Sequence, residues 1–477
     1  MSDFPVEELT IARYHQALKK GEITTRELVL TYLDRIAGID KDGPCINSVL
    51  EINPDALFLA DYMDGQLQKG RSLGPLHGVP ILLKDNINTG DKLHTTAGAL
   101  ALRDNYAPED SFVVKRLREA GALIFGKANM IEMANFVSTT MRRGFSSRGG
   151  LVKNPYKLSG YPSGSSTGSA VAAAANLTLG TLGTDTTGSI LYPSSYNCVV
   201  GIKPSRGLVS HAGVCPISLT LDTVGPIART VEDAARILSA IEGYDPADPA
   251  TLRMKGVPPH DYAAALDKGA LKGARIGLNL GYYGELSPAE QALADQAVDV
   301  LREAGAVLIP GCDFPMMNYN TDVATYEFKA CLNAYLASLS PRNDIRTLED
   351  MIEYNRAHAD VALKYGQDRL EQCQYHTSGT LTDPAYIRAL LENEKTTRDG
   401  ICRVMAENRL DALFCPKLTD LPAFSGYPAV NVPAGLADGV PMGVTLIGRP
   451  MDETGLLRIA YAYEQASCAR VLPTYAP

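Results

Sequence analysis

Two loops rich in serine and glycine carry the hydroxyls most able to act together in this chain. The first is Pro162-Ser-Gly-Ser-Ser-Thr-Gly-Ser169 and the second is Gly183-Thr-Asp-Thr-Thr-Gly-Ser189. A serine hydroxyl is a weak nucleophile and needs an adjacent base. Upstream, Lys84 closes the apolar run Val79-Pro-Ile-Leu-Leu83 and precedes Asp85-Asn86. A lysine at the end of a buried strand is either salt-bridged or desolvated, and desolvation lowers its pKa until it is a usable base. One Ser/Gly-rich turn alone is ordinarily a turn, because these residues supply local hydrogen bonds and positive φ. Two of them, separated by one short helix and one short strand, can reach the same sheet edge, where α/β proteins place ligands.

The flanking sequence supplies the elements to hold them. Thr24-Thr-Arg-Glu27 fits a capping box, and Leu28, Val29, Tyr32, Leu33 and Ile36 follow at helical spacing, with Gly38 as the expected stop. A second helix is expected over 55–69. From Gly74 the texture becomes α/β: strands at 79–83, 122–125, 179–183, 198–202, 274–279, 411–415 and 429–432, helices at 111–120, 170–176, 230–242, 285–305 and 453–467, and mostly helix over 321–410. Residues 244–273 carry prolines and read as linker-like. Alternation of strands and helices around one core predicts an α/β fold with helices on both faces of a sheet.

Composition narrows the function. Of 477 residues, 45 are Lys or Arg and 54 are Asp or Glu, a net charge of −9, which argues against nucleic acid or an anionic membrane as the main partner. Hydrophobic residues make up 45% and charged residues 21%, as in ordinary globular domains. No stretch reaches the ~20 apolar residues of a membrane span. The start, Met1-Ser-Asp-Phe-Pro5, has neither basic n-region nor apolar h-region, so a cytoplasmic location is expected. The 9 cysteines never form C-x-x-C and the 7 histidines are scattered. Neither a disulfide framework nor a metal site is expected, and no cofactor motif stands out.

Two motif matches fail on context. Gly121-Ala-Leu-Ile-Phe-Gly-Lys127 fits G-x-x-x-x-G-K, but position 128 is Ala and the interior is strand-like, so no phosphate loop is expected. Gly164-Ser-Ser-Thr-Gly168 fits the G-x-S-x-G elbow and would make Ser166 a nucleophile. That elbow needs a strand directly before it, and Tyr156–Ser163 is broken by glycine and proline.

Taken together, the stretches Gly74–Asn86, Gly126-Lys-Ala-Asn129, Pro162–Ala170, Gly183–Pro193, Val200-Gly-Ile-Lys-Pro204, Leu221–Thr230 and Gly426–Gly435 resemble the amidase signature family, densely over 74–240 and more thinly to the end. The resemblance implies one amidase domain over 1–477, with a core signature region at 74–240 and a single large twisted mixed β-sheet between helices. It implies a Ser-cisSer-Lys triad: Ser189 the nucleophile, Ser165 the bridging serine on a cis peptide, Lys84 the terminal base, with Ser166 and Asp185 supporting. Backbone N–H groups of Thr186, Thr187, Gly188 and Ser189 would receive the oxyanion, each such donor typically contributing ~3–4 kcal/mol in the transition state. For Lys84 to be neutral near pH 7, its pKa must fall by about 3 units.

Two departures concern the loop geometry. Where the family has Asp-Thr-Gly-Gly-Ser-Ile-Arg, this chain has Asp185-Thr-Thr-Gly-Ser-Ile-Leu191. Thr187 must avoid glycine-only backbone angles. Leu191 removes an arginine partner of Asp185, which must then find other hydrogen bonds, Lys203 being a candidate, or lie outside the core. Both positions deviate in the peptide amidase branch too, which Ser147-Arg-Gly-Gly150, Asn154-Pro-Tyr156, Val214–Ser218 and Gly243–Ala250 also resemble. The implied activity is hydrolysis of a carboxamide, that of a peptide C-terminus or a related small amide, releasing ammonia, by a monomer or homodimer. The alternatives are an amidotransferase-type subunit making ammonia from glutamine, and a non-catalytic binding protein on the same scaffold. The substrate pocket is expected from 136–147 and 320–380. His94, His211 and the tyrosines of 318–335 are further candidates, for which surface or core packing is the simpler account. The connection between Pro416 and Gly426 reads as shorter than in peptide amidases.

Overall fold

The strand-like runs of the sequence lie side by side in a computed structural model that describes residues 4–281, 283–313, 319–416 and 419–477. In chain order the strands are β1 (Val49–Ile52), β2 (Pro80–Lys84), β3 (Leu123–Ala128), β4 (Phe145–Ser146), β5 (Gly150–Leu151), β6 (Gly180–Asp185), β7 (Val200–Lys203), β8 (Thr223–Ala228), β9 (Arg275–Leu278), β10 (Val307–Ile309), β11 (Ala412–Cys415), β12 (Ala429–Ala437) and β13 (Val440–Ile447). Among the described residues, 11 of them form one sheet in the order β1-β3-β2-β6-β8-β7-β12-β13-β11-β9-β10, and β4 and β5 make a separate pair. The sheet is mixed: β2 runs parallel to both β3 and β6, whereas β8 is antiparallel to β6 and β7.

Both faces are covered. Successive residues of a strand point to opposite faces, and in β11 Ala412 and Phe414 join one apolar cluster while Leu413 and Cys415 join another. The first face packs against the helices Ile11–Lys20, Thr25–Arg35, Val231–Ile241 and Glu453–Ser467, and the second against Asp322–Ser338 and Leu348–Ala357. Strands buried on both sides read as continuous apolar runs, which is why 79–83 and 122–125 stand out in the sequence.

Most caps fall where the residue types place them. Thr24 and Glu27 close the capping box, and Thr230 accepts from the Asp233 N–H. Gly38 does not stop its helix. The chain continues through it in a π-helical segment, Ile36–Lys41, because Gly38 lacks the left-handed conformation that a glycine cap uses. Residues 244–273 are not a linker either: Met254, Tyr262 and Leu271 are buried in the first apolar cluster. The G-x-x-x-x-G-K match is β3 itself.

Candidate active site

Lys84 ends β2 in the middle of the sheet. Its parallel neighbour β6 pairs Leu83 with Leu182, which carries Thr184 up beside Lys84. Lys84 Nζ lies 2.8 Å from Ser165 Oγ, 2.7 Å from Thr184 Oγ1 and 3.2 Å from the Thr184 carbonyl. None of these partners is a carboxylate. The side chain is fully buried, and burial pushes its pKa down to about 7, against the opposing fields of Asp185 and Asp222. Of the two sequence readings for this lysine, the desolvated one therefore holds. The partner set also matches a neutral amine: two N–H groups for the two Thr184 oxygens, and one lone pair facing the Ser165 hydroxyl.

Ser165 follows a cis peptide bond from Gly164, and its carbonyl accepts the Ile131 N–H at 3.1 Å. The next residue starts the helix Thr167–Ala174. Gly168 in that first turn must be glycine, because a Cβ there would stand 2.3 Å from the carbonyls of Asn129 and Ser48. Ser166 is not a free nucleophile. No strand precedes it, and its Oγ donates to the Thr184 carbonyl at 3.1 Å while accepting the Thr184 N–H at 3.2 Å. Its own N–H donates to the Ser189 carbonyl at 3.2 Å, which ties the first loop to the second.

The second loop turns around Asp185. That carboxylate is buried, so the solvent-exposed alternative does not hold, and Lys203 is not its hydrogen-bond partner. Lys203 donates instead to the Pro204 carbonyl at 2.9 Å, and burial pushes its pKa down to about 8. Asp185 accepts the N–H groups of Gly188 at 2.8 Å and Ile190 at 2.7 Å, so the loop's own backbone replaces the missing arginine. This corrects one expected oxyanion donor: the Gly188 N–H is committed to Asp185. The backbone N–H groups of Thr186, Thr187 and Ser189 are the candidates that belong to residues lining the cavity. Thr187 has no positive φ; Gly188 carries it, at +94°. The ring of Tyr192 lies across Gly188, where a Cβ would fall 2.1 Å from two ring carbons. Leu191 is buried in the second apolar cluster.

Ser189 opens onto a cavity of about 440 Å³. One wall is Ala134, Asn135, Phe136, Thr139 and Arg143, and Met133, Ala134 and Asn135 are all left-handed there. Thr321, Asp322, Ala324 and Thr325 at the start of the helix Asp322–Ser338 also line it, as do Arg369 and Gln372. The Arg369 guanidinium sits 5.4 Å from the centroid of the Phe136 ring. Both expected segments, 136–147 and 320–380, thus contribute. His94, His211 and the tyrosines of 318–335 do not line the cavity. His94 pairs with Glu51, His211 with Asp248, the Tyr335 hydroxyl donates to Asn88 at 2.8 Å, Tyr319 stacks on Phe424, and Tyr326 packs against Tyr386. The connection after Pro416 reaches the site through Asp420. Its helix Leu421–Ser425 is preceded by Asp420, whose carboxyl lines the cavity and is pushed up to about 6 by burial. Thr184, Tyr192, Arg369 and Asp420 escaped the sequence reading. Only Thr184 had a signal, its place inside the second loop just past the end of an apolar run.

The Amidase family model matches residues 27–423. The chain belongs to the amidase signature family. A probable amidase of Arabidopsis thaliana is 42% identical to it, covering 99% of this chain and 93% of that one. The native peptide amidase of Stenotrophomonas maltophilia superposes with a TM-score of 0.93 at 42% identity, covering 99% of this chain and 100% of that chain. A glutamyl-tRNA(Gln) amidotransferase subunit of Geobacter metallireducens is 34% identical over 96% of this chain and 97% of its own. The protein is accordingly an amidohydrolase that cleaves an amide C–N bond. No helix of this amidase, among the described residues, is long and apolar enough to cross a membrane.

Proposed function

We propose that this amidase hydrolyses the terminal carboxamide of a peptide, or a closely related small amide, through an acyl-enzyme on Ser189. The observation that carries the reading is a fully buried lysine with no carboxylate partner, bonded to Ser165, beneath a cavity that opens on Ser189. The whole-length likeness to a peptide amidase supports the substrate class. The cavity volume falls in the range of small-molecule sites, and Arg143, Arg369, Asp322 and Asp420 give its wall both signs of charge, which suits a polar peptide.

The steps of this proposal run as follows. Ser189 Oγ attacks the carbonyl carbon, its proton passes to Ser165 Oγ, and the Ser165 proton passes to the neutral Lys84 amine. The oxyanion is received by the N–H groups of Thr186, Thr187 and Ser189, donors fixed before reaction and therefore costing no reorganisation. Collapse breaks the C–N bond, and the departing nitrogen takes the proton back along Lys84 and Ser165 and leaves as ammonia. Water then attacks the ester by the same proton route, releasing the acid and restoring Ser189. Activity requires neutral Lys84 and so rises with pH through about 7.

The test is ammonia release from a C-terminally amidated dipeptide by wild type and by Ser189→Ala. Release by the first alone supports nucleophile and substrate class together. Equal release by both overturns the nucleophile. Release from free glutamine but not from the dipeptide amide favours the amidotransferase-type reading, and inertness toward every amide and ester favours the binding-protein reading.

A further inference from the structure

One chain of buried carboxylates outside the triad is held by hydrogen bonds, with no salt bridge among the described residues, and leads straight to the oxyanion loop. Thr186 donates through Oγ1 to Asp222 Oδ1 at 2.6 Å. The other oxygen, Asp222 Oδ2, accepts the N–H groups of Ile217 at 2.8 Å and Ser218 at 3.0 Å, and Ile217 lines the cavity. The Ser218 hydroxyl then donates to Glu327 Oε2. Glu327 is fully buried on the helix Asp322–Ser338, close in sequence to the cavity residues Ala324 and Thr325. It also accepts the Thr220 N–H at 3.1 Å, the Thr220 hydroxyl at 2.9 Å and the Tyr386 hydroxyl at 2.8 Å.

Every partner of these two carboxylates is a donor. An ionised carboxylate is acceptor-only and can serve several donors at once, and buried charges of this kind persist when all their lone pairs are used. The network therefore joins three parts of the cavity lining: the oxyanion loop at Thr186, Ile217, and the helix Asp322–Ser338. We propose that Asp222 and Glu327 are positioning residues that clamp the oxyanion loop to the acyl-pocket helix, so that substrate seating and oxyanion alignment are set by one rigid unit. This rests on the reading of Ser189 as nucleophile, and it adds two residues that touch neither substrate nor the reacting atoms.

Amide replacements test the clamp without removing bulk. In Asp222→Asn or Glu327→Gln the charge is lost and the bulk stays: hydroxyl partners can turn to accept from the new NH2 group, and the charge-assisted bonds become weaker neutral ones. Thr186→Val cuts the link at the loop, and Thr186→Ser keeps the hydroxyl. The readout is the rate of Ser189 phosphonylation by a fluorophosphonate probe, in which the Ser189 O–P bond forms and fluoride leaves, together with kcat and KM on the amidated dipeptide. The first needs no knowledge of the natural substrate. Expected are labelling rates about 10–100-fold below wild type for Asp222→Asn and Thr186→Val and about tenfold for Glu327→Gln, with Thr186→Ser close to wild type. The loss falls on kcat with KM nearly constant. Asp185 and Asp222 are the carboxylates whose fields act on Lys84. Loss of the Asp222 charge therefore also moves the acid limb of the rate profile to lower pH, while Glu327→Gln leaves it in place.

The possible failures are separable. A probe that labels Ser189→Ala as fast as wild type overturns the nucleophile and the inference with it. Ser189-dependent labelling that proceeds at the wild-type rate in folded Thr186→Val and Glu327→Gln overturns the inference alone. So does a Thr186→Ser variant as slow as Thr186→Val. If Asp222→Asn does not fold, the two Thr186 variants and Glu327→Gln decide.

Discussion

Replacing Thr184 by valine removes one hydroxyl and leaves the shape of the side chain. That hydroxyl accepts from Lys84 Nζ at 2.7 Å and from Asn86 Nδ2 at 3.1 Å. A hydrogen bond to a charged group contributes about 1.5–3 kcal/mol and a neutral one about 0.5–1.5 kcal/mol, so the acceptor favours the ammonium over the amine by about 1–1.5 kcal/mol. Its removal disfavours the ammonium, and at 1.36 kcal/mol per unit the Lys84 pKa falls by about one unit. The remaining partners, Ser165 Oγ and the Thr184 carbonyl, are unchanged. The assay is the pH dependence of kcat/KM for amide hydrolysis, which reports groups of the free enzyme. The acid limb expected for wild type is near 7, where burial holds Lys84, and the one expected for Thr184→Val is about one unit lower. At pH 6 the variant is then closer to its own plateau than wild type is. A limb that stays in place, or moves upward, refutes Lys84 as the titrating base.

Three other perturbations have defined outcomes. Lys84→Met abolishes activity and stabilises the fold. The lysine binds its proton less tightly when folded (about 7) than at its ordinary value of 10.5, so wild-type stability rises with pH between those values. The stability advantage of Lys84→Met, read from urea midpoints, is therefore largest below pH 7 and shrinks by roughly 2–3 kcal/mol between pH 7 and 9. Gly188→Ala drives a methyl into the Tyr192 ring at a φ of +94° and costs about 2 kcal/mol or more, seen as a lower Tm. Adding Tyr192→Ala restores the space but not the backbone angle, so recovery is partial. Ser166→Ala orphans the Thr184 N–H and lowers stability by about 1–3 kcal/mol while leaving measurable hydrolysis, whereas Ser189→Ala retains none.

The parts of the site that could be read from the sequence are those encoded by local runs. Lys84 is legible because five apolar residues, Val79–Leu83, precede it in a row, and the two serine loops because glycine and serine break the apolar pattern on either side. What escaped depends on contacts between distant segments. Thr184 matters only because β6 lies beside β2, and Asp420 only because its connection folds back over Gly188. Asp185 lost an arginine partner on paper and gained two backbone donors in space, which no residue pattern announces. In the fold, β8 was hidden by Pro226, since proline argues against a central strand. The sheet seats it opposite Leu182 all the same. The β12–β13 hairpin was clipped for a similar reason: the register shifts between Pro433 and Gly435, so the long strand looks finished too early.

Burying the base also decides which amines a reagent can find. Lys84, Lys127 and Lys203 are all closed to solvent and all hold their pKa at about 7 to 8. At neutral pH these three carry more of the free amine that acylating reagents attack than a lysine of ordinary pKa, about 10.4, does, yet a reagent cannot reach them in the folded enzyme. Lysines on the outside, such as Lys20 and Lys92, are open to solvent and paired with Glu22 and Asp55. Chemical reactivity and physical access are thus set against each other across the molecule. Coupling the enzyme to a solid support through its surface amines leaves the proton acceptor untouched, and a burst of newly labelled lysine marks the moment the sheet opens.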